Sequence, residues 1–412
     1  MQQIFNCAIA FIVSLAISWV VYPKILLISI RKNIVDAPNF RKLQKIPVPI
    51  LGGFVVFCGI LTAMLCVSSQ VDVGHLFTVM CIMTVMLITG FADDLITLTA
   101  SRRFFIEIFV ISLLLMSNHS LVLDDFHSLW GLHGVSLWIG LPLTIVAGVG
   151  IINAINLIDG IDGLCSGYCM LACAFFAVFF YQTSQQLNLF LALAAVGGLI
   201  PFFLHNVFGR YSKMYIGDAG SLMLGFIMAY FVLAALSCDP QLYNIGGNYG
   251  MIAMLLAVLA VPVFDTLRVM FTRILKGVSP FTPDKIHLHH MFIRLGYSHI
   301  GASVTILLLN VLVVLCWYLA YRAELSADVQ FYVVVVAGFM ITVALYQYVE
   351  GALAKSDEEN GNLPLFVSLL KSFGSIFRVR RCPFLNFMRL WMDYSVKEPE
   401  RIVISGKSVE KN

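Results

Sequence analysis

Four groups of polar residues in this chain have the types and spacing to do chemistry. The first is Gly90-Phe91-Ala92-Asp93-Asp94, two adjacent carboxylates directly behind an apolar run. Like charges so close repel, and one pKa rises unless a cation intervenes. The pair suits a divalent metal or, with one carboxyl raised, a base; a solvated helix cap is the plain alternative. In the second group, Asn153, Asn156, Asp159 and Asp162 recur every three residues with Gly160 and Gly163 among them. That spacing lines one side of a helical segment, and its oxygens suit a hard cation or a sugar. The third is Gly217-Asp218-Ala219-Gly220-Ser221, which opens another apolar run. A helix start offers free N–H groups to phosphate, and Asp218 would then need a metal between itself and that phosphate. It would otherwise be an ordinary N-cap.

The fourth group is Asp284, Lys285, His287, His289 and His290, led in by Ser279-Pro280-Phe281-Thr282-Pro283 and flanked by Arg268, Arg273, Lys276 and Arg294. Imidazoles can donate to phosphate, move protons or bind a transition metal. No complementary Cys pair accompanies them, and oxygen-rich surroundings favour Mg2+ or Mn2+. Without a ligand the segment would be a basic loop attracted to lipid headgroups. Common soluble phosphate signatures are absent: Gly406-Lys407-Ser408 has Arg401 where a P-loop needs its first glycine.

The elements that must position these groups are membrane helices. The chain of 412 residues is 60% hydrophobic and 12% charged, against about 45–50% and about 25% in soluble chains. Its mean hydropathy of +0.90 excludes an ordinary soluble enzyme, a disordered chain, a disulfide-stapled module and a basic nucleic-acid binder. A crossing helix needs about 20 apolar residues. Eleven candidates are expected, near 4–22, 50–69, 75–91, 104–117, 135–152, 163–182, 187–205, 219–237, 250–268, 301–321 and 330–350. The segment at 104–117 is short and needs flanking residues or local thinning. The fold class predicted is all-α and polytopic, with 1–350 a membrane domain and 351–412 a basic tail, either a membrane-surface helix or a solvated extension.

With eleven spans the termini lie on opposite sides. One side then holds 25 of the 26 Lys and Arg, and the other only Arg322 against Asp72, Asp124, Asp125, Asp239, Glu324 and Asp328. The positive side is the cytoplasmic one, so the N-terminus is expected outside and the C-terminus inside. All four polar groups fall on the inner side. A transporter would place its ionisable groups near the midplane, so chemistry at the inner surface is the better reading. The first basic residue, Lys24, follows the first apolar run, which is not the order of a cleavable signal. Cys165, Cys169 and Cys173 share a helix face and read as packing rather than a metal or redox site. Cys238 is the one clearly outside thiol, so no structural disulfide is expected.

In this order the motifs resemble those of the polyprenyl-phosphate N-acetylhexosamine-1-phosphate transferases, glycosyltransferase family 4, over roughly residues 1–350. Pro38-Asn39-Phe40-Arg41-Lys42 and Pro49-Ile50-Leu51-Gly52-Gly53 are similar to that family's first inner loop. The resemblance implies transfer of a sugar 1-phosphate from a UDP-N-acetyl sugar to undecaprenyl phosphate, releasing UMP, with Mg2+ or Mn2+, in the bacterial inner membrane. It implies Asp93 and Asp94 as the acidic pair for metal or for deprotonating the lipid phosphate, and Arg103 as the basic position that follows. Asn153, Asn156, Asp159 and Asp162 would face nucleotide, sugar and metal. Asn206 and Asp218 would belong to the third inner loop, Asp218 with Asp94 as metal ligand. His287, His289 and His290 would meet the diphosphate, and Lys285 would bind substrate. Leu288 interrupts the histidine run, unlike the muramoyl-pentapeptide branch with three consecutive His, and the Ser279-Pro280-Phe281-Thr282-Pro283-Asp284 lead-in resembles the branch that uses UDP-GlcNAc and starts envelope polysaccharides such as O-antigen. A muramoyl-pentapeptide donor, another UDP-N-acetyl sugar, and a transporter of a lipid-linked or anionic solute are the alternatives. A homodimer is left open, and no nucleic acid is expected.

Overall fold

A computed structural model of the chain describes residues 1–36, 47–238, 249–282, 284–359, 363–376 and 383–395. Pro38–Lys42, Asp239, Pro283, Asn360, Gly361, Phe377, Arg378, Arg380, Arg381, Arg401 and Gly406–Ser408 lie outside the described residues. The chain is an all-α, polytopic membrane protein. Its helices are α1 Gln2–Arg31, α2 Gly52–Cys66, α3 Val73–Ile96, α4 Ala100–Ser117, α5 Leu137–Leu157, α6 Leu164–Gln182, α7 Gln186–Phe208 and α8 Gly217–Leu236. They continue as α9 Met251–Val258, α10 Ala260–Leu275, α11 Leu288–Arg294, α12 His299–Arg322, α13 Ala327–Phe339, α14 Leu345–Glu359, α15 Leu365–Ile376 and α16 Pro383–Tyr394. The one ladder among the described residues pairs β1, Val35–Asp36, antiparallel with β2, Val48–Pro49.

Each expected apolar segment coincides with a helix, but among the described residues only eight helices are long and apolar enough to cross a membrane, or nine if α9 and α10 form one span. α2 has 15 residues, and α4 carries Arg102, Arg103 and Glu107 near its start. The segment expected at 250–268 is not one straight helix, because α9 and α10 meet at 77° around Leu259. Pro262 has no N–H to return to Val258 O, so a continuous helix loses a bond there. The side chain of Asn310 replaces it, donating to Val258 O at 3.1 Å and accepting from Val261 N at 3.0 Å. Lys355–Glu359, a charged stretch whose composition suits a surface linker, closes α14 instead.

α8 is the innermost helix, with 94% of its apolar window buried, and it packs against α2, α3, α5 and α6. Lipid offers its backbone no water, so burial of a whole helix costs nothing in hydrogen bonds. Cys165, Cys169 and Cys173 are buried in α6 as free thiols within this core. Cys238 is buried too, bonded to Gln185 Nε2 rather than open on the surface. After β2 the chain docks on the segment before α8: Pro49 O accepts from Tyr215 N at 2.7 Å, and Gly52 N donates to Tyr215 O at 3.0 Å.

Candidate active site

A cavity of about 360 Å³ opens where the ends of α3, α5 and α7 meet the starts of α6, α8 and α12. Its wall includes Asp94, Asp159, Asp162, Asn206, Asp218 and His290. Those are six of the residues singled out by the sequence, drawn from five separate segments.

Asp94, in the last turns of α3, lies across the start of α8. Its carboxylate accepts from Asp218 N at 3.1 Å and Ala219 N at 3.3 Å. The free N–H groups expected there for phosphate are therefore occupied by a protein carboxylate. Gly217 makes the approach possible: its φ is +70°, and a Cβ would stand 2.6 Å from Asp94 Oδ2 and 2.8 Å from Ile50 O. Asn156 reaches across from α5, donating to Asp218 Oδ1 at 2.9 Å and Ser221 Oγ at 2.8 Å. It orients Asp218 and does not itself line the cavity.

The turn between α5 and α6 supplies two carboxylates of opposite character. Burial, and then the charges of Asp218, Asp94 and Asp162, push the Asp159 carboxyl well above its ordinary range. No hydrogen-bond donor offsets this among the described residues. Burial works the same way on Asp162, but His299 Nδ1 at 2.7 Å and Lys213 Nζ at 2.6 Å outweigh it and hold that carboxyl low. Among the described residues, buried Asp162 Oδ1 has no hydrogen-bond partner. Asn206 ties the turn to the next loop, accepting from Gly163 N at 2.7 Å and donating to Met214 O at 2.9 Å.

Other expected site residues stand back from the cavity. Asp93 is turned to the α3–α4 connection, where Oδ1 accepts from Leu98 N at 2.7 Å and Oδ2 pairs with Arg103 at 3.1 Å. Both its oxygens are engaged, so it holds Arg103 rather than standing as a free base. Arg103 also approaches Glu107, which bonds Asn153; Asn153 belongs to this chain of polar contacts. His287 Nδ1 lies 2.9 Å from Asp265 Oδ2, and since a carboxylate only accepts, the imidazole donates there. His289 is buried between His287 and His290 and pressed on Gly160, where a Cβ would collide with its ring. His290, not His289, faces the cavity. Burial first, then the charges of His287 and Lys285, lowers His290 to about 4. Lys285 is exposed and does not reach the wall.

Asp36, Lys213, Tyr215 and His299 line or brace the cavity and were not foreseen. Lys213 lies 5.4 Å from the Tyr215 ring centroid, a cation–π distance. The only sequence signal for Lys213 was a lone basic residue five positions before Asp218.

Among the described residues, no three His, Cys, Asp or Glu side chains converge tightly enough to cage a metal. That donor set still fits Mg2+, which usually takes one or two carboxylates, waters and substrate phosphates rather than an all-protein cage. Asp94, Asp159 and Asp218 line the same cavity, and the charges of Asp94 and Asp218 bear on Asp159.

A sequence profile described as glycosyl transferase family 4 matches residues 76–236. The undecaprenyl-phosphate alpha-N-acetylglucosaminyl 1-phosphate transferase of Escherichia coli strain K12 is 30% identical over 325 residues, 77% of this chain and 83% of that protein. The same-named protein of Yersinia pestis is 29% identical over 324 residues, 78% and 85% of the two chains. The probable undecaprenyl-phosphate N-acetylglucosaminyl 1-phosphate transferase of Bacillus subtilis is 30% identical over 311 residues, 75% and 83%.

Proposed function

This chain belongs to glycosyl transferase family 4, and from that premise we propose that it moves N-acetylglucosamine 1-phosphate from UDP-GlcNAc to undecaprenyl phosphate. The observation that carries the reading is the cavity wall, where Asp94, Asp159 and Asp218 adjoin Asp162 with its partners Lys213 and His299, beside His290. Two phosphorylated substrates that repel each other need such a set: carboxylates to share a cation and basic groups to meet the phosphates.

An oxygen of the lipid phosphate attacks the β-phosphorus of the UDP-sugar. A new P–O bond forms, the bridging P–O bond to the α-phosphate breaks, and UMP leaves with the bond's electrons. Asp218, steered by Asn156, with Asp94 or Asp159, would hold Mg2+ or Mn2+. The cation, when bound, supplies charge screening between the phosphates and stabilises charge building on the leaving group. Asp159 orients the incoming phosphate and takes its proton if it carries one. Lys213 and His299 fix Asp162, and His290 donates to the diphosphate. Asp93 keeps Arg103 facing the same side. The reaction runs at the cytoplasmic face of the bacterial inner membrane, where both substrates are charged.

The test is UMP release by the purified full-length protein in detergent, with undecaprenyl phosphate and a panel of UDP-sugars, each with and without EDTA. Release with UDP-GlcNAc alone, abolished by EDTA, is expected. Asp218→Asn should lower it by about 10²–10³-fold, the range for removing one preorganised electrostatic group. Release with a different UDP-N-acetyl sugar would change the donor and keep the chemistry. No release with any donor would overturn the reading.

A further inference from the structure

The loop between α7 and α8 carries Lys213 to Asp162 and Tyr215 to the cavity wall. It has no regular structure from Gly209 to Ile216, so its backbone groups need partners from elsewhere. On the bundle side, Tyr22 of α1 donates its hydroxyl to Ser212 O at 2.8 Å. α16 of the C-terminal tail meets the same loop. Oδ1 of its Asp393 accepts from Arg210 N and Tyr211 N, both at 2.9 Å, and from Ser212 N and Ser212 Oγ, both at 3.2 Å. Three successive amides can meet one oxygen only when the backbone curls around it. α16 is itself seated: Met392 is fully buried, and the Trp391 ring packs 5.8 Å from that of Trp19 in α1.

We propose that Asp393 is a positioning residue for the transfer reaction, and that α16 is a clip holding the 209–216 loop in the conformation that delivers Lys213 to Asp162. The residue after the three clasped amides is Lys213 itself, so the clasp acts on the cavity across one peptide bond. An ionised acceptor makes each of these bonds stronger than a neutral one would. The tail is thereby part of the active-site architecture. The kinetic consequence rests on the transferase reading above; the clasp itself does not.

Two measurements on the full-length protein in lipid nanodiscs test this. In hydrogen exchange, a peptide spanning 209–216 should exchange slowly in the unaltered protein and fast in D393A. D393N, which keeps a neutral acceptor oxygen, should fall between them and serves as the comparison if D393A is not recovered folded. Equal exchange in the parent and in either variant overturns the clasp. In a double-mutant cycle, D393A should lower kcat/KM for UDP-GlcNAc about tenfold in the parent, the size expected for losing charged hydrogen bonds. It should lower it less than about twofold in the K213A background, where delivery of Lys213 no longer matters. Equal losses in both backgrounds overturn the positioning role. A parent protein with no UMP release defeats the transferase reading, and the exchange result then decides the clasp alone.

Discussion

His289 and His290 are neighbours in sequence with opposite surroundings, and both are held neutral. Burial, then His290 and His287, lowers His289 well below its ordinary value, and burial likewise takes His290 to about 4. Between the ordinary value of 6.5 and about 4, the unfolded chain takes up protons that the folded chain refuses. The stability these histidines contribute therefore rises with pH across that window and is lost as pH falls through it, while the raised Asp159 carboxyl works in the opposite sense. His290→Asn should therefore lose less stability than the parent on acidification, so the difference between their thermal midpoints in detergent should move in the variant's favour between pH 6.5 and pH 4. Identical slopes in parent and variant would mean that His290 titrates normally when folded. Which histidine faces the cavity was not legible in the sequence, because the turn into α11 decides it, through Asp265 holding His287 and Leu288 N. The carboxylates were easier to read. Asp94, Asp159, Asp162 and Asp218 each sit at the end of an apolar run, so their depth followed from charge and length alone. The direction of Asp93 was not legible: one residue of helical rotation turns it to Leu98 and Arg103, away from the cavity. Lys213 and His299 carried no pattern, and only tertiary contact reveals them as partners of Asp162.

Helix breaks are the least legible elements, because apolar composition continues straight through them. The run at 250–268 reads as one span, yet Pro262 frees Val258 O and the chain bends by 77°. Such a bend in lipid survives only if something re-satisfies the backbone. Asn310 does so from α12, bonding both Val258 O and Val261 N, and the Tyr168 hydroxyl adds a second donor to Val258 O. Asn310→Leu keeps the branching at Cγ and removes both functions. Each buried backbone group left unsatisfied costs about 1–3 kcal/mol, so the variant should show a clearly lower thermal midpoint and a smaller monodisperse fraction in detergent. An unchanged midpoint would mean that water or Tyr168 alone satisfies the break. Asn310 could not have been singled out from sequence, being one amide in an otherwise apolar helix.

For the whole molecule, hydrogen bonds sort helix ends more firmly than hydropathy does. Asp94, Asn156, Asn206 and Asp162 tie the ends of α3, α5 and α7 to the starts of α6, α8 and α12 around the cavity. The far end is marked by His75 Nε2, 2.9 Å from Tyr230 OH late in α8, and by His127 Nε2, 2.8 Å from Leu236 O at its end. α2 starts at Gly52, bonded to Tyr215 beside the cavity, and leads to the far-end start of α3. α4 starts beside Asp93 and leads to His127. Both helices therefore travel from one end to the other, although one is short and the other bears charges. Among the described residues they join the eight helices, or nine with α9 and α10 as one, that are long and apolar enough by themselves to cross. The tail stays with the cavity end, where α15 and α16 expose Leu365, Leu369, Phe387 and Leu390, a face suited to lying on lipid. A membrane-impermeant maleimide on intact cells tests which ends face outward, after replacing the exposed Cys66 and Cys81 with serine. Ser69→Cys, between α2 and α3, should label from outside. Ser101→Cys, at the start of α4, and Ser279→Cys, after α10, should label only once the membrane is opened. If α2 does not cross, Ser69→Cys becomes protected and Ser101→Cys reactive from outside, which would put Asp94 on the wrong side for a cytoplasmic UDP-sugar and separate it from the loop bearing Ser279. Because Asp94 bonds directly to Asp218 N, that outcome is incompatible with the fold itself, so the labelling pattern judges the helix ends and the cavity together.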